Sequence, residues 1–320
     1  MKLGAFAALF GDQPLEAMLD IVAGAGCKAV EIGTGAYPGN PHCPLEELVK
    51  DAAKANAWLQ QITDHGLEVS ALSCHGNVLH PNIDVRHEHD AIFHKTIDLA
   101  SMLGITTVIN FSGCPGGAPG DKTPNWVTCP WPNDFGEVLK YQWEVEAIPY
   151  WREMNGKLAA AKVRVALEPH PGFLVYNPET AGKLRVACGP QIGVNFDPSH
   201  LWWQGINPAN AVRMLGNAIF HVHAKDCKVN DMNASVIGVL DTKPYTEEEK
   251  RAWLFRTCGY GHGAEAWKEI VSALRLAGYD GAISIEHEDS LMRAPEGFRK
   301  AATFLQEIII TEPAGPATWV

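Results

Sequence analysis

The chain has 320 residues, of which 46% are hydrophobic and 20% charged, and its formal net charge is -11. This suits a soluble globular protein able to fold as one α/β barrel, and the acidic balance opposes non-specific binding to nucleic acid or to an anionic lipid surface. No apolar run approaches the roughly 20 residues of a membrane span, and eight scattered cysteines without a CxxC pair read as reduced, mostly buried thiols of a cytoplasmic enzyme.

Lys2–Leu9 is the first expected strand. Asp12 and the helical spacing that follows at once favour a strand over a signal peptide. Pro14–Ala25 carries Leu15, Met18, Leu19 and Val22 at helical spacing and is closed by glycine. Lys28–Gly33 is the second strand, ending near Glu31, and Leu45–His65 a long helix after it. Leu67–His75 is the third strand and Arg86–Leu103 its helix; Thr106–Gly113 is the fourth, with Val108, Asn110 and Ser112 on one parity. Phe135–Lys162 is helical with an expected break near Pro149. Strands five to eight are Val163–Pro171, Ile192–Pro198, Ile219–Asp226 and Ala282–Asp289, interleaved with helices Pro178–Ala187, Pro208–Leu215, Ala264–Ala277 and Ala294–Ile310.

Eight strand–helix units in strict alternation predict parallel strands joined by crossover helices. Small inward residues and polar strand ends favour a closed (β/α)8 TIM barrel over 1–310, with a Pro/Gly-rich tail at Thr311–Val320. No GxGxxG follows a strand, so a dinucleotide fold gains little support. Two loops are too long for simple connectors: Ser112–Asp134, with Trp126 and Trp131, and Lys225–His262, in which a short helix is expected near Glu247–Phe255. Both follow strands and so belong to the face where barrels build their sites. Trp126 reads as a lid residue, a stacking platform for a sugar or aromatic group, or a subunit contact.

Four strands share one design. Val165 and Leu167 oppose Ala166 and Glu168; Val194 and Phe196 oppose Gly193, Asn195 and Asp197. Phe220, Val222 and Ala224 oppose His221, His223 and Lys225, and Ile283 and Ile285 oppose Ser284 and Glu286. Side chains alternate between the two faces of a strand, so each strand carries an apolar side towards the helices and a small side ending in a polar group. A lone strand-end glutamate is more often a loop-capping acceptor than a ligand, and a lone histidine more often structural. Glu168, Asp197, His223 and Glu286 at the ends of four strands are harder to explain that way, because desolvating three carboxylates together is costly without a cation. The set is hard and mostly oxygen. It suits one divalent metal ion, manganese first, with magnesium, cobalt or zinc as alternatives. His75 and Glu31 are open between site and scaffold. His170, His221 and His287 are candidates to orient ligands, and Asn110 to bind a hydroxyl.

The stretches EPHP, NFDPSH, HVHAKD and SIEHED, with GYGH before Trp267, resemble the sugar phosphate isomerase/epimerase family, the xylose-isomerase-like barrels, over about residues 2–310. The resemblance implies that Glu168, Asp197, His223 and Glu286 hold the metal, that Glu168 and Glu286 exchange a substrate proton, and that His200 touches the substrate. The family's arginine after the histidine ligand has no clear match; Lys225 or Arg256 would stand in for it. Isomerisation or epimerisation of a sugar or keto-sugar is the first expectation. The chain is also similar to the larger subunit of bacterial C-glycoside deglycosidases, which implies a lyase alternative: β-elimination from a 3-keto-C-glycoside, completed by a small second subunit. A homo-oligomer or such a complex is the expected assembly. A zinc-dependent DNA-repair endonuclease shares the barrel, and His75, Glu168, Asp197, His200, His223 and Glu286 are compatible with it. The loop after strand seven lacks an Asp-x-His pair, however, and the net charge opposes gripping a phosphate backbone. A non-catalytic sugar-binding barrel is the remaining class.

Overall fold

A computed structural model describes residues 1–313 and 315 of the chain; the expected tail at 314 and 316–320 lies outside the described residues. The strands are β1 (Lys2–Phe6), β2 (Ala29–Gly33), β3 (Glu68–Ser73), β4 (Thr107–Asn110), β5 (Arg164–Leu167), β6 (Ile192–Phe196), β7 (Ile219–Ala224), β8 (Asp226–Val229), β9 (Trp253–Arg256) and β10 (Ala282–Ile285). Eight of them close into a barrel in the order β1-β10-β7-β6-β5-β4-β3-β2, while β8 and β9 form a separate two-stranded sheet. The pairings around the barrel are parallel, and β10 closes it between β1 and β7. This is the expected (β/α)8 barrel. Among the described residues, no helix is long and apolar enough to cross a membrane.

The alternation of the strands explains the core. Val165, Leu167, Val194, Phe196, Val222, Ile283 and Ile285 lie in one buried cluster with Trp151, Trp267 and other helix residues. Each such side chain contributes roughly 1.5–3 kcal/mol on burial. Inside the barrel a smaller cluster joins Ala71, Ile109, Ala166 and Phe220. Phe220 departs from the expected parity. Val194 pairs with Ile219 but Asn195 with His221, so Phe220 is the extra residue of a bulge. Its ring turns inward over Gly193, where an added Cβ would lie 2.3 Å from the ring. Ile109 faces the interior in the same way, which leaves Asn110 on the opposite parity from the one a pocket residue needs.

Other departures are local. The helix expected over Leu45–His65 is two, Leu45–Leu48 and Ala52–Asp64, because the Asp51 side chain accepts from the N–H groups of Ala53 and Lys54 and starts a new helix. The helical stretch from Asn133 to Ala161 is interrupted by a π turn, Gln142–Ala147, while Pro149 sits harmlessly in the first turn of the last segment. The π turn carries Gln142, whose Nε2 donates to the carbonyls of Pro115, Gly116 and Asn125 and so pins the long loop after β4. The helix expected near Glu247–Phe255 is absent. Glu248–Lys250 forms one 3-10 turn, and Trp253–Arg256 alternates buried and half-buried residues as β9 against β8. The helix of this loop lies earlier, at Asp231–Ile237, capped by the Asn230 side chain. The last helix ends at Gln306 rather than Ile310.

Candidate metal centre

Glu168, Asp197 and Glu286 each follow the last residue of β5, β6 and β10, and His223 is the penultimate residue of β7. One ligand atom from each of the four lies within 4.8 Å of the others. His223 Nδ1 stands 3.1 Å from Glu168 Oε2 and 3.0 Å from Glu286 Oε2. Glu168, Asp197 and His223 are buried, with 2%, 1% and 0% of their surface exposed, so water does not relieve their charge. Asp197 Oδ2, His223 Nδ1 and Glu286 Oε2 are buried without a hydrogen-bond partner. Leaving three such atoms side by side without a directed hydrogen bond is expensive, even with the Lys225 ammonium 3.2 and 3.0 Å from two of them. A divalent cation accepting lone pairs from all of them removes that cost, so the residues fit the expected ion.

The surrounding groups orient this set. His223 Nε2 lies 2.8 Å from Glu31 Oε2, and Glu31 also accepts from the Ser73 hydroxyl. A proton held on Nε2 by that carboxylate leaves Nδ1 free to act as a ligand. Glu31 is therefore the partner that fixes the ring. Asn195 Nδ2 donates to Glu168 Oε2 at 2.8 Å, and His221 Nδ1 lies 3.0 Å from Asn195 Oδ1. His75 Nε2 is 3.2 Å from Glu168 Oε2. His200 Nε2 lies 3.2 Å from both Glu168 Oε1 and Asp197 Oδ2. Two further triads, Glu31–His221–His223 and Glu168–His170–His200, share members with the central four.

The charges are strongly coupled. Burial pushes the Glu168 carboxyl up, but the His200, His223 and His75 rings beside it outweigh that and hold it well below the usual range. Burial is likewise overcome at Asp197 and Glu286, chiefly by the Lys225 ammonium, and both are held down. Burial opposes charge on His200, yet Asp197 and Glu168 raise it to about 9. Burial and the neighbouring His200 charge lower His170 to about 3. Lys225 is buried, but Glu286, Glu288 and Asp197 keep it protonated.

A cavity of about 320 Å³ opens over this cluster, with Phe6, Tyr37 and Phe111 as aromatic walls and His75, Lys225 and Glu286 at its base. Asn110, Trp126 and Arg256, all expected to touch substrate, are not among its lining residues. Asn110 Oδ1 instead accepts from the N–H groups of Gly76 and Phe111 and ties the ends of β3 and β4. Arg256 Nε pairs with Asp289 Oδ2 at 3.2 Å. Trp126 lines a neighbouring groove of about 480 Å³ with Trp143, Phe173 and Tyr176. The Phe111–Phe173 stack, with centroids 4.2 Å apart, lies between groove and cavity. His287 holds the loop after β10 through Met292 O at 2.9 Å rather than a ligand.

Two residues beside the site escaped sequence reasoning. Glu288 pairs with Lys225 at 3.1 Å. Asp226 Oδ2 accepts from the N–H groups of Gly259, Gly261 and His262 and from Trp267 Nε1, while Oδ1 accepts from Cys227 N–H and meets His262 Nδ1 at 2.8 Å. This carboxylate fastens the GYGH turn under the mouth. Gly261 must be glycine there, since a Cβ would lie 2.1 Å from Cys227 O. The signal was an acidic residue ending HVHAKD together with a glycine turn that needs an anion.

Residues 19–308 match the family described as Xylose isomerase-like TIM barrel. The chain belongs to that family, whose barrels are of the sugar isomerase and epimerase type. It is 40% identical over 312 residues to the Uncharacterized protein YfiH of Bacillus subtilis, covering 97% of this chain and 99% of that protein. It is 26% identical over 156 residues to the Inosose dehydratase of Geobacillus thermodenitrificans, covering 48% and 50% of the two chains. Among solved structures, a D-tagatose 3-epimerase-like protein superposes with a TM-score of 0.63 at 20% identity, covering 96% of this chain and 98% of the other. The IolI protein with a bound zinc atom does so with a TM-score of 0.66 at 19% identity, covering 97% and 98%. At these identities the structural likeness carries the fold.

Proposed function

We propose that the protein catalyses divalent-metal-dependent proton abstraction next to the carbonyl of a sugar or keto-sugar, giving isomerisation or epimerisation. The observation that carries this reading is the meeting of Glu168, Asp197, His223 and Glu286 with three unpartnered ligand atoms between them. When bound, the ion supplies Lewis acidity that makes the C–H beside a carbonyl acidic. Glu168 and Glu286 are both ionised, so either can take that proton, and the same groups can return it. His200 Nε2 donates to Glu168 Oε1, and its charge lies 3.2 Å from Asp197 Oδ2, so it holds both carboxylates in place. Phe6, Tyr37 and Phe111 exclude water and offer flat faces to the C–H side of a sugar ring. Manganese is the proposed ion, and the zinc of IolI keeps zinc in the same test. The assay is deuterium wash-in from D2O into a panel of ketoses and keto-sugars, using metal-stripped protein reloaded with each ion. Exchange that needs the metal supports the reading; a loaded protein that exchanges no proton on any of them overturns it.

The groove lined by Trp126, Trp143, Phe173 and Tyr176 favours a second reading. It has room for an aromatic arm of a larger substrate, and one relative is named an inosose dehydratase. In that reading the same proton abstraction leads to β-elimination from a 3-keto-C-glycoside, with a small second subunit. Release of free aglycone, with or without that subunit, selects it over isomerisation.

A further inference from the structure

We propose that Lys225 is a built-in counter-cation of this centre, which neutralises two ligand oxygens in the metal-free protein and gives them up to the incoming ion. The inference rests on reading the four-residue cluster as a metal site. Lys225 Nζ lies 3.2 Å from Asp197 Oδ2 and 3.0 Å from Glu286 Oε2, oxygens of two of the four clustered residues, and Glu286 Oε2 also faces His223 Nδ1. Neither contact is a formed hydrogen bond, and both oxygens stay unpartnered. The directed hydrogen bond of the ammonium goes to Glu288 Oε2, at 3.1 Å. Lys225 is therefore anchored on Glu288 and only attracted to the ligands. Glu288 is 48% exposed at the side chain and stands at the cavity rim with Lys225. The Phe255 ring centroid lies 4.8 Å from Nζ and adds a second resting place for a cation.

A buried cluster of three carboxylates needs positive charge whether or not a metal is present. Lys225 supplies it while the ligand oxygens wait. A divalent ion on the same oxygens repels an ammonium at this separation strongly, so loading the site means drawing Lys225 away from Asp197 and Glu286 while it keeps its hydrogen bond to Glu288. Metal affinity is then lower, and the metal-free fold more stable, than the ligand set alone would make them.

The test uses the full chain and Mn²⁺ alone, followed by titration calorimetry and by thermal melts of stripped and loaded protein. Lys225→Met is expected to bind Mn²⁺ about tenfold or more tighter than the unaltered chain. Its metal-free form should melt several degrees lower, and its loaded form close to the unaltered protein. Glu288→Gln takes away the resting place and should weaken Mn²⁺ binding several-fold. In the Lys225→Met background that loss should shrink, and the double-mutant cycle reads the coupling. Because Glu288 is half-exposed, this arm stands even where Lys225→Met fails to fold. Equal or weaker Mn²⁺ binding by Lys225→Met, or a Glu288→Gln effect that ignores Lys225, overturns the proposal and leaves the metal site standing. An unaltered chain that takes up no divalent ion overturns both.

Discussion

Asp226→Asn tests how the mouth of the barrel is held, with little change in shape. The carboxylate is fully buried and meets six donor positions: four at Oδ2 and two at Oδ1. An amide must turn its NH2 towards one of those groups. The less costly choice places it at Oδ1, where it faces the Cys227 N–H and leaves that donor unpaired, at about 1–3 kcal/mol. The four bonds to Oδ2 persist but lose the charge that roughly doubles a hydrogen bond, about 1 kcal/mol each. Allowing for non-additivity, the loss is about 3–6 kcal/mol, a large part of the roughly 5–15 kcal/mol that holds a protein folded. At about 2 °C per kcal/mol for a chain of this size, Tm falls by roughly 6–12 °C. Differential scanning calorimetry of the metal-free protein measures it. Proteolysis confined to the Gly259–His262 turn, ahead of global unfolding, would show that the loss begins there. A Tm within about 1 °C of the unaltered protein would refute the account of Asp226 as the anchor of the turn.

Four shorter predictions follow from other parts of the molecule. Glu31→Gln removes the group that fixes the His223 ring, and Mn²⁺ affinity by calorimetry should fall about 10–100-fold with the fold retained. Chelation should lower Tm and Mn²⁺ should restore it, since ion at a hundred times its Kd contributes about 2.7 kcal/mol; a melt indifferent to chelator contradicts the metal reading. Gly193→Ala puts a Cβ 2.3 Å from the Phe220 ring and should cost about 2–3 kcal/mol in urea unfolding, with Phe220→Leu recovering part of it. Burial pushes the Cys27, Cys43 and Cys74 thiols up to about 12. Alkylation below that pH should therefore spare them and reach the exposed Cys129 first, as peptide mapping would show.

The barrel and its four central residues were legible because both depend on period-two alternation. A strand such as β5, Arg164–Leu167, shows its helix-facing side in Val165 and Leu167, and the charge at Glu168 marks where the inner side reaches the mouth of the barrel. The parts that escaped depend on partners far away in the chain. Phe220 turns inward only because Gly193, on the neighbouring strand, leaves it space. Asn195 sits on the expected inner side, yet its role needs both Glu168 and His221 at its two ends. Asp226 binds mostly backbone N–H groups some 33 to 36 positions away, which carry no side-chain signature. The stretch before Trp253 misled through its run of glutamates, whose helical preference is overridden once Trp253 and Phe255 find a buried place beside Trp203. Asn110 and Arg256 carry suitable chemistry, but backbone N–H groups claim the Asn110 Oδ1 and Asp289 claims the Arg256 Nε.

The last barrel strand in chain order among the described residues, β10, closes the ring by lying between β1 and β7, and it also delivers Glu286. A nascent chain that has emerged only as far as residue 280 owns three of the four ligands and two raw sheet edges. On the proposed metal reading, cation capture at full strength would mark the moment the ring shuts, so the ion would act as a seal on closed barrels and ignore truncated ones. Circular permutants that move the chain ends to a loop on the opposite face should keep this property, because what the ion senses is closure rather than the order in which the strands arrive.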